Sequence, residues 1–164
     1  MDRFLALLEA NAVRQVLDIR TIPRSRHNPQ FDSLALAASL RAAHIRYVHL
    51  KELGGLRHAR PDSVNLGWRN PSFRGFADYM QTPAFEKALS RAIKWAEARS
   101  TALVCAEAVP WRCHRSLVAD ALTVRGIRVL EIINDRPPAE HKLTPFAHVH
   151  GSSITYPAEE ASLF

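Results

Sequence analysis

Apolar positions in this chain fall into short runs whose spacing switches between the alternation of a strand and the three-to-four-residue spacing of a helix. Phe4, Leu5, Leu7 and Leu8 suit a short opening helix. Val16, Leu17 and Ile19 mark a strand over 13–19, followed by a polar, proline-containing loop over 20–32. Ser33 is placed to cap a helix over 34–43, and Ile45 opens a second strand over 45–50. Residues 51–75 show no sustained period, and Gly54, Gly55, Pro61, Gly67 and Pro71 punctuate them. Thr82 and Pro83 open a helix whose buried side is Phe85, Leu89, Ile93, Trp95 and Ala96. A strand over 102–105, a helix over 116–125 stopped by Gly126, and a strand over 127–133 complete the series. Beyond Asn134 proline and histidine increase and the periodicity fades, without internal repeats or low-complexity tracts.

Strands alternating with helices predict an α/β fold. It would be one domain over 1–150, with a mainly parallel sheet of about four strands, right-handed crossovers and helices on both faces. An irregular C-terminal tail over 151–164 would follow. In such a sheet every strand-to-helix loop leaves at the same carboxyl edge, the usual ligand position of open α/β folds. Loops 20–32, 51–75 and 106–115 all follow strands, so residues far apart in sequence should meet there. A loop as long as 51–75 inside a compact domain is generally functional or mobile. The helix-to-strand connections are short and chemically plain.

Composition changes this picture mainly through charge. A hydrophobic fraction of 47% and a charged fraction of 23% are those of an ordinary soluble protein. No apolar run is long enough to span a bilayer. The opening MDRFLALLEANAVRQ has charges among its leucines and no small-residue cleavage site, and Cys105 and Cys113 are the two cysteines. Together these predict a reduced, cytoplasmic setting without membrane association. The net charge is +6, carried by 18 arginines against 4 lysines. Arginine's planar fork holds phosphate bidentately. A pI near 9.9 therefore points to a phosphate-bearing partner, nucleic acid above all, although a GC-rich coding sequence produces the same bias.

The densest chemistry lies in Thr101 to Arg115, TALVCAEAVPWRCHR. Two thiols, a carboxylate, an imidazole and two guanidiniums exceed what a connecting loop requires. Cys105, ending a strand, fits three roles: nucleophile, metal ligand or small core residue. Glu107, two residues on, can face the same side and act as a general acid or base. Cys113 and His114 stand at a helix start, where the dipole and exposed amides favour a thiolate. Arg115 and Ser116 follow as an anion-holding pair. Zinc would draw on Cys105, Cys113 and His114, but adjacent Cys-His is a poor chelate and no C-x-x-C or H-x-x-x-H completes the set. No metal and no cofactor is therefore expected. His141, His148 and His150 read as surface or hinge residues.

Two further loops add to it. Asp18 and Arg20 flank Ile19, so both project to one side of the first strand. Arg20, Arg24 and Arg26 with Ser25 form a donor set suited to phosphate oxygens, on a loop stiffened by Pro23 and Pro29. Asp18 equally suits a structural ion pair with one of these arginines. Gly54 and Gly55, just past the second strand, permit either a tight turn or close approach to a ligand.

At these residues the chain resembles the bacterial and archaeal domain of unknown function 488 family. The matching elements are Asp18-Ile19-Arg20 with Pro23 and Ser25-Arg26, Leu53-Gly54-Gly55, and Cys105-Ala106-Glu107 followed by Cys113-His114-Arg115. The likeness runs from about residue 13 to 133, with more over 141–146 and at Thr155-Tyr156-Pro157. It implies a small cytosolic α/β domain and names no reaction. A looser likeness is to rhodaneses and cysteine phosphatases, with Cys105 as nucleophile and Arg115-Ser116 as the helix-start pair. Here, however, Arg115 falls ten positions after Cys105, and Pro110 and Trp111 stand where those families have glycines. Glu160-Ala161-Ser162-Leu163-Phe164 resembles the Leu-Phe-ended peptides by which bacterial repair and replication proteins bind the sliding clamp.

These readings converge on an enzyme acting on a phosphate-containing substrate, nucleic acid or nucleotide, at an arginine-rich anion site. Arg20, Arg24, Arg26 and Arg115 would hold phosphates, and Asp18 or Glu107 would move the proton. Cys113 and His114 would shape or activate the site. The alternatives are a non-catalytic nucleic-acid-binding accessory, tethered to a clamp, with Trp68, Phe73 and Trp111 stacking on bases, and sulfur or phosphoryl transfer on Cys105.

Overall fold

The structure, a computed structural model, describes residues 1–158. Its centre is a three-stranded parallel sheet of β1 (Gln15–Asp18), β2 (Arg46–His49) and β3 (Thr101–Val104), in the order β2-β1-β3. The register sets Leu17 beside Val48 and Leu103, and Asp18 beside His49 and Val104. Alternation along the strands then separates two cores. Val16, Tyr47, Ala102 and Val104 pack with Leu8 of α1 (Asp2–Ala10) and Leu36 and Leu40 of α2 (Ser33–Ala42). Leu17, Ile19, Val48, Leu103 and Cys105 pack on the other face with α3 (Pro71–Tyr79), α4 (Pro83–Ala98) and α5 (Arg115–Thr123). The α/β class and the helices on both faces are as the sequence leads one to expect. From β1 the chain moves one way to β2 through α2, then back across β1 to β3 through α3 and α4. That reversal opens a crevice between the carboxyl ends of β1 and β3.

Local chemistry explains the element boundaries. Thr82 caps α4 as expected, its hydroxyl accepting the Phe85 N–H at 3.3 Å. Ser33 does not cap α2; it is the first helical residue, and Asp32 holds the cap position. The Asp32 carboxylate accepts the Ser25 N–H at 2.6 Å, which folds the preceding loop. Within the irregular stretch 51–75 lies the start of α3, a helix the periodicity reading left out. Asn70 caps it by accepting the Ser72 N–H at 2.9 Å, and Pro71 opens it.

Beyond α5 the structure departs from expectation. The segment 127–133 adds no fourth parallel strand. Only Leu130–Glu131 (β4) is extended, paired antiparallel with Ala139–Glu140 (β5). A bend at 134–136, where the Asn134 side chain accepts the Arg136 N–H at 2.9 Å, turns the chain back, so the segment pairs with its own continuation, and Leu130 and Ile133 stay 41% and 43% exposed. A hairpin of β6 (His148–His150) and β7 (Ser153–Thr155) turns at Gly151, whose φ is 63°. Ile154 and Tyr156 are buried with α3, α4 and α5, while Gly151, Ser152 and Ser153 are exposed.

Candidate functional site

The three strand-following loops meet. A Cβ on Gly54 would stand 2.3 Å from the Thr21 hydroxyl oxygen, and one on Gly55 2.3 Å from Nδ1 of His114. The second loop therefore lies directly against the first and the third, a closeness only glycine permits. Arg57 holds that loop in place. Its guanidinium donates to Gly54 O and Glu52 O, each at 3.0 Å, while stacking 3.6 Å over the Tyr79 ring. Between the loops runs a groove of about 320 Å³ lined by Arg20, Gly55, Phe73, Cys105, Glu107, Arg112, Cys113 and His114. An adjoining hollow of about 410 Å³ shares Asn70, Phe73, Glu107 and Arg112 with it and adds Trp68 and Trp111.

Cys105, Cys113 and His114 form the floor. Cys105 follows β3 and faces the α3–α5 side. A helical turn at Pro110–Arg112 then returns the chain, so that Cys113 and His114 arrive beside it. His114 Nδ1 lies 3.7 Å from Cys105 Sγ and 3.8 Å from Cys113 Sγ. The other ring nitrogen, Nε2, donates to Leu53 O at 2.9 Å. A carbonyl only accepts, so Nε2 carries a proton, and Nδ1 is the ring atom that faces the sulfurs. The ring also rests on Phe76, centroids 4.8 Å apart. The thiols divide their acidity. Hydrogen bonding to Cys105, with His114 and the Arg115 N–H assisting, holds Cys113 below the ordinary thiol range. Interaction with Cys113, together with burial, pushes Cys105 up.

The other anticipated residues take different places. Register puts Asp18 on the α1–α2 face, across the sheet from Cys105. It is fully buried and accepts from Arg20 N and Nε at 3.1 and 2.8 Å, from Arg20 Nη2, and from Tyr47 Oη at 2.8 Å. Its carboxylate oxygens are occupied by this ion pair, and the same pair draws in the Arg20 fork, 6% exposed at the groove's edge. Burial, reinforced by the Asp18 carboxylate, pushes the Tyr47 phenol up, and Asp18 raises Arg20. Arg24 and Arg26 are exposed and do not line the groove. Ser25 is spent on its own loop, its N–H donating to Asp32 and its oxygen accepting the Asn28 N–H at 3.0 Å. Arg115 donates to Glu107 O at 3.0 Å, which braces the third loop, and Ser116 is buried with its hydroxyl on Cys113 O at 3.0 Å.

Arg112, Asn70 and Phe73 line both hollows, yet the sequence assigned no role to Arg112 or Asn70. The Arg112 and Glu107 side chains make no hydrogen bond among the described residues, and both are exposed. The Asn70-Pro71-Ser72 start of α3 was the available signal for that wall. A second ionisable group lies away from the groove. His141, read as a surface or hinge residue, is buried between Asp120 and Glu131, at 2.8 and 2.7 Å.

Comparison with known proteins adds the family. The family model for the Domain of unknown function DUF488 matches residues 1–122, and the chain belongs to that family. The matched span holds all three groove loops and ends short of the 133 that the resemblance led one to expect. No curated protein and no solved structure matches the chain. Among the described residues no helix is long and apolar enough to cross a membrane. The clamp-like peptide ending in Phe164 lies outside the described residues.

Proposed function

We propose that this member of the DUF488 family is an enzyme acting on a nucleotide, free or as a unit of nucleic acid, bound in the groove between the carboxyl ends of β1 and β3. One observation carries the reading: Arg112 and Glu107, exposed and without side-chain hydrogen bonds among the described residues, line one groove with Phe73, and Trp111 stands 64% exposed beside them. A guanidinium with its donors uncommitted suits phosphate. Trp111 and Phe73 supply faces for a base to stack on. Glu107 is the general acid or base. The net charge of +6 draws a polyanion toward the groove. Cys113 and His114 form the floor. This reading gives Cys105 no covalent role. Arg24 and Arg26 serve encounter with the substrate rather than the reacting centre.

The test is a turnover screen over nucleotides and short single- and double-stranded oligonucleotides. Glu107→Gln should lower product formation by about a hundredfold or more while binding persists. Arg112→Ala should weaken binding and reduce the salt slope by about one. Binding without product from any substrate, with Glu107→Gln indistinguishable from wild type, overturns the enzyme and leaves the accessory nucleic-acid binder.

A further inference from the structure

We infer that Cys105, Cys113 and His114 form a binding site for one thiophilic divalent cation of the zinc class, with a fourth coordination position open to the groove. The inference concerns the chain's own donors and needs nothing of the substrate reading above. The three donor atoms, two sulfurs and Nδ1, all lie within 4.8 Å of one another. Around a tetrahedral ion with metal–sulfur bonds of about 2.3 Å and a metal–nitrogen bond of about 2.0–2.1 Å, sulfur and nitrogen stand about 3.6 Å apart. The observed separations from Nδ1 to the two sulfurs are 3.7 and 3.8 Å. Such an ion sets its two sulfurs about 3.8 Å apart, so the thiols, within 4.8 Å of each other, close onto it.

The surroundings are those a metal-binding histidine has. Its second ring nitrogen donates to Leu53 O at 2.9 Å, which fixes the tautomer with the free lone pair on the sulfur side. Gly55 against one part of the ring and Phe76 against another hold its orientation. The Arg115 N–H reaches Cys113 Sγ at 3.4 Å, a contact that supports a metal-bound thiolate. Two thiolates and an imidazole select a soft or borderline ion over magnesium or calcium. All three donors line the groove, so the remaining position faces space that a water or a substrate atom can fill. Three protein ligands with an open fourth position are the arrangement of a reactive rather than a purely structural ion.

The sequence argued against this site because Cys113 and His114 are adjacent. The backbone resolves the objection. Cys113 is extended, with φ −135° and ψ 141°, and His114 turns into the helix, with φ −56° and ψ −11°. The bend between them brings both donors to one point, and the third arrives from the end of β3.

Cobalt(II) titration of the full-length, reduced, chelator-treated protein tests the assignment. One equivalent should produce thiolate-to-cobalt charge transfer in the near ultraviolet and the visible bands of tetrahedral cobalt, and zinc should displace them. Cys105→Ser and Cys113→Ser should each weaken cobalt binding by more than about a hundredfold. Circular dichroism establishes that each variant is folded; should Cys113→Ser unfold, half-buried Cys105 supplies the decisive variant. Absence of charge transfer at one equivalent, or an unchanged titration in Cys105→Ser, overturns the site. A protein that binds cobalt this way but turns over no nucleotide overturns only the proposed function.

Discussion

Two compact groups of ionisable side chains, one around Asp120 and one around His114, differ in what is left over. Asp120 is buried with both carboxylate oxygens engaged. Oδ1 accepts the His141 Nε2–H at 2.8 Å and the Thr144 N–H at 3.0 Å, and Oδ2 accepts the Tyr156 hydroxyl at 2.8 Å. His141 places its other nitrogen 2.7 Å from Glu131, so both ring nitrogens face carboxylates and the ring is held as a cation. The group joins α5 to the chain that returns over 141–156. Around His114, by contrast, the sulfurs and the Nδ1 lone pair converge on one another at long range and border open space. A group that satisfies itself is cement, whereas one that keeps valence and access can bind or react. Asp18, Arg20 and Tyr47 are of the first kind, although they sit at the groove's edge.

The largest effect should come from breaking the closed group. Asp120→Ala leaves a buried imidazolium and a buried phenol without their acceptor, and should cost about 3–5 kcal/mol. Cys113→Ser, in the apo protein, should cost about 1 kcal/mol. Urea unfolding followed by circular dichroism measures both. Equal losses would dissolve the distinction, since the cysteine group would then be core like the other.

A smaller effect, with a defined sign, belongs to His141. Hydrogen bonding to Asp120, opposed in part by burial and reinforced by Glu131, raises its pKa above the ordinary histidine value of 6.5. A raised folded-state value means that the proton stabilises the fold. That contribution is complete below the unfolded pKa and is lost as pH rises through the folded one. Stability should therefore decline as pH rises from 6.5 through the raised folded-state value, more steeply in wild type than in His141→Gln. Parallel profiles for the two proteins would show that His141 does not carry the charge assigned to it.

How far these groups could be read from the chain depends on whether their signal is local. The cap of α4 and the periods of α4 and α5 lie within a few residues, and so does the strand-loop order that sends three loops to one edge. The start of α3 was equally local: Asn70 and Pro71 mark it, and Phe73, Phe76, Ala77 and Met80 keep helical spacing. It was hidden by the glycines and prolines before it. Side-chain direction was not local. Asp18 and Cys105 are assigned to opposite faces by the register that sets Asp18 beside Val104, and no single strand states that register. His141 acquires its burial from Asp120 and Glu131, positions that nothing near it in the sequence names. The segment 127–133 carries an apolar strand pattern, yet the bend at Asn134 hands it a closer partner than the sheet.

The smallest effect sharpens the comparison within the groove itself, between two arginines that line it. Arg20 lays its fork on a buried carboxylate, and removal of that fork would strand Asp18. Arg112 is exposed and makes no side-chain hydrogen bond among the described residues. Arg112→Ala should therefore change unfolding stability by no more than about 0.5 kcal/mol, the range of a surface position without partners. Urea denaturation at neutral pH decides it. A loss above about 1 kcal/mol would mean that Arg112 is already committed to the protein. A guanidinium so committed would not be the one held ready for phosphate, and the groove would become a third self-satisfied cluster.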